Sequence, residues 1–347
     1  MNGLFSRNNR QMERCKKSRV ERQGEARHMN VSYSRFNTYL SCPYKHYLAY
    51  EEGWQKKQKD RSLYFGTDFH KLLEYRTKLD KIDTVVQDIT DRFYELPADR
   101  QADLGLDYPT DIFNIFVDYC EVYKDCPLPN ETELEFNIPI GKYKGEPVVF
   151  KGFIDGVYFN NGDITVEEHK TFSKMPAKDF LVMNTQKSLY AVAIKHLYGD
   201  YPKTILWDYI HSQAAASPVW LEKSGRFSTA NTNKVTPYSY QRACKERGVE
   251  CTDSEKYEGN IVNFFFRTEM DYIPEMIEDV WDGFKYTCKD IVRNGKKNKT
   301  KNLTYNCSWC PYRDICHAEL TGGNVEAILE KDFERREDGN TGSQEAN

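Results

Sequence analysis

Apolar and polar positions change period along this chain, and the changes mark its elements. From Ser32 to Cys42-Pro43, Phe36, Tyr39 and Leu40 recur at helical spacing, with Ser32 or Ser34 placed to cap the first turn. A second helix is predicted to begin near Gly66-Thr67 and to carry Phe69, Leu72 and Leu73 on one stripe. Helical or mixed sequence continues to 126, with the apolar run 112–123 prominent. The period then falls to two, which predicts strands at 134–140, 148–159 and 164–169. A helix follows over 184–197, with Leu189, Ala193 and Leu197 on one stripe, and 205–210 reads as a further strand. Residues 211–290 give only a mixed α/β pattern. The order helices, hairpin, helix, strand predicts an α/β domain on a mixed sheet.

Two of these strands meet at Asn161-Gly162, a pair that favours a two-residue type I′ turn. Such a turn fixes the register and sets Asp155 directly opposite Glu168. Their β-carbons would lie roughly 4.5–5.5 Å apart, where like charges repel. Strict alternation puts Phe153, Asp155, Val157 and Phe159 beside Ile164, Val166, Glu168 and Lys170 on one face. That face is mostly apolar and is expected to turn toward the core, with the His169 side chain on the opposite one. Two acids and a lysine at its end are costly unless something compensates them. A buried ion pair of Lys170 with either acid is one solution. A hard divalent cation, Mg2+ or Mn2+, is the other. In that case the three side chains match the needs of phosphodiester hydrolysis: a metal to lower the pKa of the attacking water, and a cation to orient or deprotonate it or to stabilise developing charge.

Four cysteines frame this hairpin. Cys42 precedes it, and Cys307, Cys310 and Cys316 follow within C-S-W-C-P-Y-R-D-I-C. Four thiolates serve zinc and iron–sulfur clusters alike, and either would tie together the two ends of the domain. The first residues lack the apolar core of a signal peptide, and no apolar run is long enough to span a membrane. The ten cysteines are therefore expected in a reducing, cytoplasmic setting. Net charge is only −4 over 347 residues, but residues 1–28 carry +5 and residues 321–347 carry −4. We expect a disordered basic tail at 1–28, one domain over 29–320, and a charged, disordered tail with one short helix at 321–347. The run R-N-G-K-K-N-K-T-K at 293–301 and the group Lys56, Lys57, Lys59 and Arg61 are local basic stretches that can meet phosphates.

The motifs in this order resemble the PD-(D/E)XK nuclease superfamily, and within it the RecB-like branch that includes iron–sulfur nucleases of the AddB and CRISPR-associated type and phage exonucleases. The matching stretches are S-Y-S-R-F-N-T-Y-L-S-C-P at 32–43, G-T-D-F-H-K-L-L-E at 66–74, G-F-I-D-G-V at 152–157, V-E-E-H-K-T at 166–171, Q-K-S-L-Y at 186–190 and the distal cysteines. The resemblance implies a restriction-endonuclease-like core with a helical cap and an iron–sulfur-stapled terminal segment. It implies that His70, Asp155 and Glu168 bind Mg2+ or Mn2+, with the backbone carbonyl of His169 as a further ligand, and that Lys170 is catalytic. Gln186 and Tyr190, one helical turn apart, would line the active site and contact DNA. Cys42, Cys307, Cys310 and Cys316 would hold a 4Fe–4S cluster rather than Zn2+. Glu74 lies four residues beyond His70 on the same helical face and can look into the same site. Ile154 stands where the family's usual proline would be. The implied activity is that of a DNA exonuclease acting on single strands or ends in recombination, repair or DNA processing. An endonuclease subunit of a recombination or CRISPR-adaptation complex is the alternative, and so is a non-catalytic Fe–S or Zn nucleic-acid-binding module. Helicase-like or CRISPR-type protein partners are compatible with either enzyme. No G-x-x-x-x-G-K-[ST] loop is present, so a fused helicase is not expected.

Overall fold

The computed structural model describes residues 28–76, 81–174, 183–230, 232–270 and 274–336. The expectations for 1–27 and 337–347 fall outside those residues. Strand β1 (Met29–Val31) leads into α1 (Tyr33–Ser41), whose first turn is capped by the Ser32 hydroxyl accepting from the Arg35 N–H at 3.1 Å. The short α2 (Pro43–His46) and β2 (Trp54–Lys56) follow. Helix α3 runs over Arg61–Tyr75, so it begins before the predicted Gly66. Phe65 and Phe69 stack one turn apart, at 1% and 0% exposure, and their burial carries the helix through a residue of poor helical propensity. Helices α4 (Ile82–Tyr94), α5 (Ala98–Leu104) and α6 (Tyr108–Val122) complete a helical layer with α3.

The central sheet takes β1 together with β3 (Glu131–Tyr143), β4 (Glu146–Asn160), β5 (Asp163–Phe172), β6 (Thr204–His211) and a strand at Phe265–Glu269. Between them lie α7 (Gln186–Tyr198), the ribbon β7 (Trp220–Leu221) and β8 (Arg226–Phe227), and α8 (Pro237–Arg247). The strand at 265–269 is thus β9. Pairings β1–β4 and β5–β6 are parallel, whereas β3–β4, β4–β5 and β6–β9 are antiparallel. The sheet is mixed and flanked by helices, as expected. Helices α9 (Pro274–Asn294), α10 (Arg313–Thr321) and α11 (Val325–Asp332) follow, and β10 (Phe333–Arg335) pairs with β2. The helix expected within 321–347 is therefore α11, and the chain beyond it forms a strand through Arg335. No described helix is long and apolar enough to cross a membrane.

Strand β4 decides where the site lies. Strand β3 runs along one of its edges, opposite 146–157. Its other edge is taken by β1 at 148–150 and by β5 at 156–160, which leaves a gap between them. Asp155 sits at that gap. The turn is as the sequence predicts: Asn161 and Gly162 both have positive φ, 50° and 94°, and Asn160 pairs with Asp163. The register also holds as far as Gly156 opposite Glu167. Beyond that point the backbone ladder ends, and the His169 N–H donates instead to the Asp155 carboxylate at 2.7 Å.

Strict alternation fails in the same place. The stripe of β4 packed in the main core runs Val148, Phe150 and Ile154, then changes parity to Val157. Ile154, and not Phe153, continues the core face; Phe153 is half-buried beneath the Lys151 ammonium, 5.8 Å from its ring centroid. The strand twists where β5 parts from it, so a period-two projection cannot be carried through Asp155. Nor is there a single core face. Val166 and Trp207 pack with α1, α7 and α9 on one side, while Ile210 and Phe265 join α3, α4 and α6 on the other.

Candidate active site

Because helices cover both faces, the gap beside Asp155 collects side chains from both. From α3 comes His70, whose Nδ1 is 3.3 Å from Asp155 Oδ1. From β3 comes Glu133. Its neighbours Thr132 and Leu134 pair with Gly156 and Ile154, so Glu133 lies across from Asp155, and its φ of 48° is unusual for a residue with a side chain. Ligand atoms of His70, Glu133 and Asp155 all lie within 4.8 Å of one another. The sequence reading missed Glu133, because it considered only the β4–β5 hairpin. The signal was available as an acid in the strand preceding Gly152–Val157, readable once β3 is registered on β4.

The other half of the site faces α7. Lys170 Nζ donates to Glu168 Oε2 at 3.0 Å and stands 5.5 Å from the Trp207 ring centroid. Gln186 Nε2 approaches the same Glu168 oxygen at 3.5 Å and donates to the Tyr190 hydroxyl at 2.9 Å. Asn184 Oδ1 accepts from the Gln186 N–H at 2.8 Å and so fixes the start of α7. Among the described residues, the buried Glu168 Oε1 meets no hydrogen-bond partner. The structure thus brings Lys170, Gln186 and Tyr190 to Glu168, and His70 and Glu133 to Asp155. Glu74 and the His169 side chain line a small cavity with His70, Glu133 and Asp155.

The electrostatics follow from burial among like charges. Burial, and then the charge of Asp155, push the Glu168 carboxyl up to about 8 and Glu133 up to about 7. Asp155 is also enclosed, yet the charge and hydrogen bond of His70 outweigh that and hold it well below the usual carboxylate range. Burial opposes the charge of His70 in turn, but Asp155 raises its pKa. The donor set is oxygen-rich with one imidazole, and one buried carboxylate oxygen lacks a partner. Such a set suits a hard divalent cation, which would replace the protons on Glu133 and Glu168.

The His169 side chain does not turn away from Asp155 as predicted: it lines the same cavity as Asp155 and His70, its ring centroid 5.9 Å from that of His70, and it also meets a buried network. Its Nδ1 is 3.1 Å from Asp208 Oδ2, which also accepts from the Tyr119 hydroxyl. Arg267 lies at ion-pair distance from Glu167, 3.0 Å, and from Asp208, 3.3 Å. Burial disfavours an imidazolium, yet the Asp208 hydrogen bond and the Glu167 charge push His169 up to about 9. Glu167, His169 and Asp208 also approach one another closely enough to hold a metal, but Arg267 already supplies their positive charge. The network holds the segment between Glu168 and Lys170 from behind.

Away from these acids, three cysteines pack into one small core. Cys42, Cys310 and Cys316 contact the cluster formed by Tyr44, Leu48, Tyr312 and Phe333. The Thr304 N–H lies 3.4 Å from Cys307 Sγ. Burial, followed by the charges of neighbouring cysteines, raises the thiols of Cys310 and Cys316, the latter to about 11. Four thiols that repel one another as thiolates are chemically suited to a cationic centre. Hydrogen bonds already join the two ends of the domain here: the Tyr44 backbone N–H donates to the Thr300 carbonyl at 3.0 Å, and the Asn302 side-chain Nδ2 to the Ser41 carbonyl at 3.0 Å. Part of the basic run is used locally, since Lys299 and Lys301 sit 4.1 and 4.2 Å from the ring centroids of Tyr47 and Tyr44.

Comparison with known proteins places this geometry. No curated protein matches the sequence. A solved structure titled "Crystal structure of SSO0001" aligns at 12% identity and a TM-score of 0.33, covering 91% of this chain and 98% of that one. The family model of the PD-(D/E)XK nuclease superfamily matches residues 30–317, which takes in every motif from the first helix to the last cysteine. The chain belongs to the PD-(D/E)XK nuclease superfamily.

Proposed function

We propose that this chain is a Mg2+- or Mn2+-dependent DNA exonuclease acting on single strands or DNA ends, in recombination, repair or DNA processing. The observation that carries the reading is the buried, partnerless Oε1 of Glu168 beside the converging donors of His70, Glu133 and Asp155. His70, Asp155, Glu168 and the His169 backbone carbonyl would hold the cation, with Glu133 as a ligand the sequence did not offer. A divalent ion there supplies charge neutralisation at the phosphate and lowers the pKa of water. The protein's own groups do the rest. Lys170 keeps an ammonium at the edge of the site, where it can orient the attacking water and stabilise developing negative charge. Glu168 fixes that ammonium through its Oε2. Gln186 and Tyr190 support Glu168 from α7 and present polar groups to the DNA strand.

Cys42, Cys307, Cys310 and Cys316 would hold a 4Fe–4S cluster with a structural role. Cys42, Cys310 and Cys316 pack against one small core, which supports a shared centre, and the family resemblance favours the cluster over zinc. The test is anaerobic purification followed by digestion of end-labelled linear and covalently closed circular single strands with Mg2+ or Mn2+. An exonuclease degrades the linear strand and spares the circle. Equal cleavage of both would overturn the exonuclease assignment, and zinc without visible charge-transfer absorption would overturn the cluster.

A further inference from the structure

Between α9 and α10 the chain turns its largest side chains into solvent. Tyr305 and Trp309 begin and end a short 3-10 turn (Tyr305–Trp309) and are 78% and 67% exposed. Aromatic rings bury about 150–250 Å² each where they serve a core, and these two forgo most of that. They touch each other instead, with centroids 4.8 Å apart and planes at 79°. That edge-to-face contact restricts both rings while most of their surface stays open. The turn beneath them is also held, since the Cys307 N–H donates to the Thr304 carbonyl at 3.0 Å.

From 293 to 310 the chain carries five Lys or Arg and no Asp or Glu. One of the five is already paired, Lys301 with Glu319 at 3.0 Å. Lys299 stands over the Tyr47 ring, which holds the ammonium without neutralising it. Arg293, Lys296 and Lys297 are exposed, and among the described residues no acid pairs with them. The basic and aromatic parts meet at the cysteines. The Thr300 carbonyl, next to Lys299, lies 3.9 Å from Cys42 Sγ, and the Asn302 carbonyl lies 3.7 Å from Cys307 Sγ. Cys307 is in turn two residues from each exposed ring. Cations without acids favour a polyanion over an apolar protein partner. Joined to open aromatic faces, they match surfaces on which cations track a single-stranded backbone and rings stack on its bases.

We propose that the segment 293–310 is a binding surface for single-stranded DNA outside the catalytic centre. Trp309 and Tyr305 would stack on bases, and Arg293, Lys296, Lys297 and Lys299 would meet phosphates. The proposal rests on the nuclease reading for its partner, but binding is measurable without catalysis.

The anaerobically purified full chain is titrated in EDTA against two fluorescein-labelled oligomers of equal length, an oligothymidylate and an abasic strand that keeps the phosphates. Trp309→Ala should weaken oligothymidylate binding about tenfold and leave abasic binding unchanged, and Tyr305→Ala should do the same to a smaller extent. Lys297→Gln should weaken both and lower the slope of log Kd on log salt by about 0.7. All three side chains are exposed, so these variants should keep the circular dichroism and melting of the parent. Unchanged oligothymidylate Kd in both aromatic variants would overturn the proposal in favour of a protein-docking patch, and an equal loss on the abasic strand would overturn the stacking. A parent chain that binds through Trp309 but cleaves no DNA with either metal would sink the nuclease reading and leave this surface standing.

Discussion

Replacing Asp208 with asparagine removes one charge from a fully enclosed place while keeping the side chain's shape. Asp208 is 0% exposed and receives the His169 imidazole at 3.1 Å, the Tyr119 hydroxyl and the Arg267 guanidinium at 3.3 Å. Without its charge, an imidazolium and a guanidinium face each other with only Glu167 between them. Breaking a buried pair from one side costs about 3–5 kcal/mol. Against a total stability of about 5–15 kcal/mol, the variant should fold but melt at much lower urea. The assay is urea unfolding, with an unchanged denaturant slope confirming that the unfolded state is the same. Cleavage provides a second readout, taken where the variant remains folded. The His169 N–H that orients Asp155 belongs to the residue this network fixes, so a displacement costing about 1.4 kcal/mol in the transition state lowers the rate tenfold. A stability loss below about 1 kcal/mol would refute the argument that these charges hold the hairpin from behind.

Two further outcomes follow from local geometry. A β-carbon at Gly152 would lie 2.4 Å from Cζ of Phe136, itself 1% exposed, so Gly152→Ala should cost about 1–3 kcal/mol in thermal unfolding. Phe136→Leu in the same chain should return part of that loss, and strict additivity of the two would contradict the clash. Burial first, and then the neighbouring Arg35 charge, hold the buried His46 down at about 3. Unfolded, the same group binds a proton near 6.5. Stability is therefore fully present above that value and declines as pH falls toward 3, by about 1.4 kcal/mol per unit. The parent's stability should fall more steeply than that of His46→Gln over this range, and identical pH dependences of the two proteins would contradict it.

Much of the fold was legible because its strongest signals are local. Asn161-Gly162 fixes a turn whatever surrounds it, and the stripe Leu189, Ala193 and Leu197 identifies α7 on its own. Where long-range packing decides, the pattern misleads. Gly66 looks like a helix start, but Phe65 and Phe69 bury themselves together and move the start to Arg61. Period-two alternation is sound along β4 until Asp155, where β5 departs and the strand changes parity. The motif residues His70, Asp155, Glu168 and Lys170 could be listed in order, yet the sequence could not say that His70 reaches Asp155 while Lys170 reaches Glu168. Glu133 was hidden because the β3–β4 turn is Lys144-Gly145, a weaker signal than Asn-Gly, and a register shift between Pro139 and Gly141 intervenes before Glu133. Arg267 and Asp208 come from strands adjacent in space, and one of them lies in the stretch 211–290 that gives no clear period.

The most direct test of the central claim is cleavage of end-labelled single-stranded DNA by the anaerobically purified chain beside Lys170→Ala, each with Mg2+, with Mn2+ and with EDTA. The account predicts cleavage by the parent with either metal, none in EDTA, and a loss of at least about a hundredfold in Lys170→Ala. Equal rates for the two proteins, or cleavage that persists in EDTA, would contradict it.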